Sequence, residues 1–87
     1  MIALYIISTH HGTNYCGITN NLIRRWHEHK KGKSSYLRHK KPIEVVFIQL
    51  FETRQQASKN ERRIKRFGVT KFMKLQNIKF LNENQNK

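Results

Sequence analysis

Carboxylates are scarce in this chain: 5 Asp and Glu stand against 18 Lys and Arg among 87 residues, a formal charge of +13. So large an excess on so short a chain repels itself, and a polyanionic partner relieves the repulsion. Cysteine is nearly absent too. Cys16 alone allows neither an intramolecular disulfide nor a thiolate zinc knuckle, and it fits a reducing, intracellular setting that we read as cytoplasmic. No apolar run approaches the roughly 20 residues of a spanning helix, and no helix has the pattern of a surface anchor. The apolar start, MIALYII, has neither a positive leader nor a small-residue cleavage site, and it reads as a strand. With membrane set aside, nucleic acid is the expected partner.

A chain of this length buries only about 60% of its unfolded surface, enough for one small domain with a modest core. We expect that domain over residues 1–81, followed by a polar tail over 82–87, with no internal repeat. Residues 2–8 are β-branched and aromatic, the turn THHG follows, and then comes a second run, TNYCGI. Strand, hairpin, strand is the natural reading, with Gly12 available for a positive φ. Gly17 within the second run either allows close approach of other atoms or marks a weak strand end.

A helix is expected next, capped by Thr19 or Asn20 and stopped by Gly32. At helical period Leu22, Ile23 and Trp26 form its apolar stripe, with Arg25 and His29 along the edge of a cleft. The basic loop that follows offers Lys33, Tyr36 and Arg38 as nucleic-acid contacts. After Pro42 a nearly continuous apolar run predicts a strand covered on both faces. Thr53 and Gln56 then form a capping-box pattern opening a helix that Gly68 closes. Its inward side is read as Ala57, Asn60, Ile64 and Phe67, with Glu61 inside the stripe. The segment over 70–81 predicts a third helix.

A carboxylate on an apolar face is costly unless paired or bound to a metal. Phosphodiester hydrolysis needs a group that positions water, a cation against the phosphorus oxygens, and help for the leaving alkoxide. Arg25 has the planar fork suited to phosphate, and Glu61 is the inward carboxylate for a magnesium ion otherwise held by water and phosphate oxygens. Tyr5 and Tyr15, on adjacent strands, bring phenol oxygens to the same edge. The histidines do not make a metal site by spacing: His27 and His29, two apart on a helix, do not face together.

Ala3-Leu4-Tyr5, then Tyr15-Cys16-Gly17, then Arg25 and His29 on one helix and Glu61 on the next, resembles the GIY-YIG nuclease domain, especially its small stand-alone bacterial members. Ala-Leu-Tyr stands in place of Gly-Ile-Tyr and Tyr-Cys-Gly in place of Tyr-Ile-Gly, with the tyrosines kept. The resemblance implies an α/β (α+β) fold, a three-stranded antiparallel sheet flanked by helices, and metal-dependent cleavage of DNA. It makes Tyr5 the general base or the group that orients the water, with Tyr15 as its partner. Arg25 stabilises the transition state, His29 assists proton transfer or holds the tyrosine, and Glu61 ligates Mg²⁺ or Mn²⁺. A phenol of ordinary pKa, about 10, is a poor base at neutral pH, so Arg25 and the metal are expected to lower it.

Each residue alone has a plainer reading. Tyr5 and Tyr15 are then half-buried strand tyrosines, Arg25 a solvated charge, His29 a surface or stacked ring, and Glu61 a buried ion pair with Arg25 or a lysine. The ordered set favours a DNA endonuclease acting at branched, flapped or single-stranded structures in repair or recombination. The alternative is a slow or inactive nucleic-acid-binding module of the same fold. A ribosomal-type RNA binder explains the charge but not Glu61. Monomer and homodimer both stay open, since one strand-cutting site breaks a duplex only as a dimer or in two visits.

Overall fold

Five consecutive apolar or aromatic residues, Ala3 to Ile7, need cover on both faces, which only a central strand between helical layers receives. A computed structural model of the chain describes residues 1–10, 12–32 and 41–85, with side chains among these except at 43 and 78–85. Strand β1, Ile2–Thr9, is indeed central, with β2, Asn14–Thr19, and β3, Pro42–Phe51, antiparallel on either side in the order β2-β1-β3. This is the three-stranded antiparallel sheet expected from the sequence. Gly12 turns the β1–β2 hairpin at φ 75°, and its N–H donates to the Thr9 carbonyl at 3.1 Å.

Side chains alternate across β1, so its odd and even residues feed two different cores. Leu4 and Ile6 lie on one face with Cys16, against Ile64, Val69, Phe72 and Met73 of helices α2, Arg54–Phe67, and α3, Val69–Gln85. Tyr5 and Ile7 lie on the other with Tyr15, Leu22 and Trp26, under helix α1, Leu22–Lys30. Full burial of Leu4 or Ile6 is worth about 1.5–3 kcal/mol each. Helix α3 runs four residues into the segment read as a polar tail.

Helix α1 starts one residue later than expected. Asn21 is its N-cap, accepting from the Arg24 N–H at 3.1 Å, while Thr19 steps back to accept from the Asn21 N–H. Gly32, at φ 78°, follows the C-cap Lys31. Helix α2 opens with the full capping box: Thr53 Oγ1 accepts from the Gln56 N–H, and Gln56 Oε1 accepts from the Thr53 N–H.

The apolar stripes needed three corrections. Ile23 is 75% exposed, because Leu22, Trp26 and His29 take the sheet-facing line of α1 and Ile23 lies about 100° off it. Phe67 is half-exposed at the outer edge of α2. The face of β3 that carries Ile48 and Leu50 is open, the latter at 57% exposure. Their partners across the ladder are Tyr5 and Ala3, so this face continues the one under α1. The cluster under α1 takes in Tyr5, Ile7, Tyr15, Leu22 and Trp26 and, from β3, Val45, which leaves the end of that strand with Ile48 and Leu50 uncovered among the described residues.

Candidate active site

Opposite Tyr5 in the β1–β2 ladder stands Gly17. A Cβ there would lie 2.7 Å from Tyr5 Oη and 2.9 Å from its Cζ, so the glycine makes room for the phenol. Thus the close-approach reading of Gly17 describes the structure, and the weak strand end does not. The Tyr5 ring is 1% exposed, and its hydroxyl meets His29 Nε2 at 2.7 Å. Tyr15 stands edge-on to the His29 ring with centroids 5.2 Å apart, and 6.3 Å from the Tyr5 ring.

The sequence places His29 at the rim of a cleft; the structure buries it completely. Two turns of helix bring Leu22, Trp26 and His29 onto one line of α1, and the position of His29 on that line is the one that faces Tyr5. Burial and then the nearby Arg25 charge push its pKa down to about 4, against a weaker pull upward from Glu28. His29 is therefore a neutral imidazole at pH 7. Its Nδ1 is buried without a hydrogen-bond partner among the described residues.

Arg25 lies on the flank of α1 with a third of its side chain exposed, 3.8 Å from Glu28. Burial weakens its charge, but interaction with the Tyr5 and Tyr15 phenol oxygens more than offsets this and its pKa is raised. The reverse effect on Tyr5 falls short of expectation. Burial raises the Tyr5 phenol to about 12, with Arg25 opposing and Tyr15 and Glu61 adding to the rise. Desolvation of the ring outweighs one partly hydrated guanidinium, so Tyr5 is a protonated phenol in the free protein.

Glu61 sits on the flank of α2 nearest β2, where its charge reaches both Tyr5 and Cys16. Its side chain keeps 20% exposure and pairs with Lys65 Nζ at 3.3 Å. Of the two partners weighed for it, a lysine is the one the structure selects. The spacing carries that signal, since Glu four residues before Lys is the favourable order on a helix. Lys65 also lines a hollow of about 230 Å³ with Asn14, Tyr15, Cys16 and Val69, beside the tyrosine pair. Burial, reinforced by Glu61, lifts the Cys16 thiol to about 11, so it stays protonated. Among the described residues no three His, Cys, Asp or Glu side chains form a ready-made metal cage. Lys33, Tyr36 and Arg38 lie outside the described residues.

The fold thus joins His29 to the Tyr5 phenol oxygen, sets the Tyr15 ring beside both, brings Arg25 into interaction with the two phenols and puts Glu61 within electrostatic range. No described helix is long and apolar enough to cross a membrane. The profile of the GIY-YIG catalytic domain matches residues 1–75. A UPF0213 protein of Oceanobacillus iheyensis is 36% identical over 78 residues, 88% of each chain. One of Cupriavidus necator is 40% identical over 68 residues, 77% of this chain and 74% of the relative. The solution NMR structure of a UPF0213 protein from Bacillus halodurans superposes with a TM-score of 0.57 at 28% identity, covering 91% of this chain and 86% of that one. With the fold and the profile in agreement, the chain belongs to the GIY-YIG catalytic domain family, a family of nucleases.

Proposed function

We propose that the protein is a metal-dependent endonuclease that hydrolyses phosphodiester bonds in DNA, with a preference for branched, flapped or single-stranded structures of the kind met in repair and recombination. One observation carries this reading: the buried 2.7 Å bond between Tyr5 and His29, at the position where Gly17 leaves space for it. Burying a phenol and an imidazole costs free energy that an apolar pair would avoid. A core of this size has no structural need for them, and Arg25 against the same oxygen is the arrangement a phosphate site uses.

The unmatched Nδ1 bears on the protonation of the pair. A buried N–H without an acceptor is worse than a lone pair without a donor. His29 is then the Nε2–H tautomer, donating to Tyr5 Oη. With Arg25 facing the same oxygen, the Tyr5 proton is directed away from both, toward an incoming phosphate oxygen or water. Tyr5 orients the nucleophile, Tyr15 supports its ring, and Arg25 meets the charge that develops on the phosphorus oxygens. His29 holds the phenol.

Glu61 fits a Mg²⁺ or Mn²⁺ ion that draws its remaining ligands from water and phosphate, since it is a single, partly exposed carboxylate rather than one member of a closed cage. Such an ion would stabilise charge on the phosphorus oxygens and on the leaving alkoxide. Lys65 must release Glu61 for this to happen. That pairing, with the protonated Tyr5, favours one second reading, a nucleic-acid adaptor that has kept the site's residues.

The test is cleavage of single-stranded, duplex and flapped DNA with Mg²⁺, with Mn²⁺ and with chelator, using wild type beside Glu61→Gln and Arg25→Ala. The endonuclease reading expects cutting by wild type only with metal, and both variants binding without cutting. Salt-dependent binding with no cleavage by any of the three selects the adaptor. Metal-independent cleavage that ignores Glu61→Gln overturns the proposed site.

A further inference from the structure

Helix α2 carries six Lys and Arg in fourteen residues, and the active-site reading uses only Lys65, through its pair with Glu61. At about 100° per residue, the buried Ala57 and Ile64 mark the line that faces the sheet, with Glu61 and Lys65 on one flank and Asn60 and Phe67 on the other. Lys59, Arg62, Arg63 and Arg66 fall within an arc of about 100° on the opposite side. All four are exposed. They line a hollow of about 260 Å³ to which no other described residue contributes.

Like charges at these spacings oppose helix formation: each of the four has at least two cationic neighbours three or four positions away. None forms an ion pair among the described residues, whose two ion pairs are Arg25–Glu28 and Lys65–Glu61. A face that only had to stay soluble would intersperse both signs. A face of one sign attracts a polyanion, and three of its four members have the guanidinium fork that matches phosphate oxygens. From Lys59 to Arg66 the stripe is about 10 Å long, close to the axial span of four successive phosphates on one strand of a duplex.

About 150° of the helix surface separates the centre of this stripe from Glu61. A phosphate held there belongs to a different stretch of chain from one presented to Tyr5. We propose that Lys59, Arg62, Arg63 and Arg66 form a second binding surface for the phosphate backbone of nucleic acid, which engages a segment other than the one at the Tyr5–Glu61 site. The protein then grips two segments at once, and a flapped or branched molecule offers both where a short linear one does not. The assignment of the first segment to cleavage rests on the endonuclease reading; binding at the stripe does not.

The experiment compares wild type with the variant Lys59→Gln/Arg62→Gln/Arg63→Gln/Arg66→Gln, since glutamine keeps a high helix propensity. Affinity is measured across a salt series, with chelator present, on a flapped DNA and on a short linear duplex. Circular dichroism checks that the helices persist. The expected result on the flapped DNA is an affinity at least tenfold lower and a plot of log K against log salt shallower by about 0.9 per lost phosphate contact, up to about 3.6. The short duplex should lose less, and with metal present the kcat on a short single-stranded oligonucleotide should be unchanged. Unchanged salt slopes on both DNAs overturn the proposal, and equal losses on both overturn its second segment. A variant that loses binding to phosphatidylserine vesicles but keeps its DNA slopes overturns it in favour of a membrane surface. Failure of the wild type to cut any DNA would sink the endonuclease reading while leaving the salt slopes as a test of the stripe.

Discussion

Lowering the pH should destabilise this protein through one residue, His29. Its imidazole is fully buried and held at a pKa of about 4, whereas in the unfolded chain it titrates near the ordinary value of about 6.5. Between those values the unfolded state takes up a proton that the folded state refuses. By linkage, stability is complete above about pH 6.5, falls as the pH drops, and stops falling on this account once the folded state also protonates near pH 4. A pKa difference of about 2.5, at about 1.36 kcal/mol each, makes the loss about 3 kcal/mol, a large share of the 5–15 kcal/mol typical of a domain. The physical event at the end of that range is loss of the neutral ring facing Tyr5 Oη and Arg25. Urea unfolding at several pH values from 7.5 to 4.0 reads the effect directly. His29→Gln keeps a hydrogen-bonding group but removes the titration, so subtracting its profile from that of wild type cancels the carboxylates common to both. The reasoning predicts a difference that grows by about 3 kcal/mol toward acid, and an imidazole NMR signal that does not titrate above pH 5. Parallel profiles for the two proteins would refute it.

Three further predictions rest on separate contacts. Gly17→Ala puts a methyl 2.7 Å from Tyr5 Oη and should cost about 1–3 kcal/mol in urea unfolding, with reduced cleavage because the phenol is displaced. Thr53→Ala removes one half of the α2 capping box and should cost about 1 kcal/mol, seen as a lower Tm without a change in DNA affinity. Leu4→Ala, at a fully buried site between the sheet and α2, should cost about 2–5 kcal/mol, while Ile23→Ser, on the exposed side of α1, should shift stability by less than about 0.5 kcal/mol.

Local chemistry was legible in the linear chain. The β-branched and aromatic run of β1, the glycine of its hairpin, the capping box of α2 and the glycines closing α1 and α2 depend on residues within a few positions of each other, so their spacing suffices. The excess of positive charge is a property of composition, and the order of tyrosines, arginine, histidine and glutamate follows the chain. Even the Glu61–Lys65 pair lies at a helical spacing that announces it. Helical period also put Arg25 and His29 near one another. It could not say which of them the sheet would cover, because that depends on how α1 is rotated against β1 and β2.

That rotation is a tertiary result, and it decided the chemistry. Covering His29 turned a rim histidine into a neutral core imidazole and joined it to Tyr5, while desolvation overrode the guanidinium that was expected to make the phenol acidic. The reach of α1 also leaves the end of β3 with Ile48 and Leu50 open on one face among the described residues, although its apolar run reads as covered on both sides. Period tells which residues share a face of an element. What meets that face, and hence its dielectric and its partners, is set only when distant parts of the chain pack together.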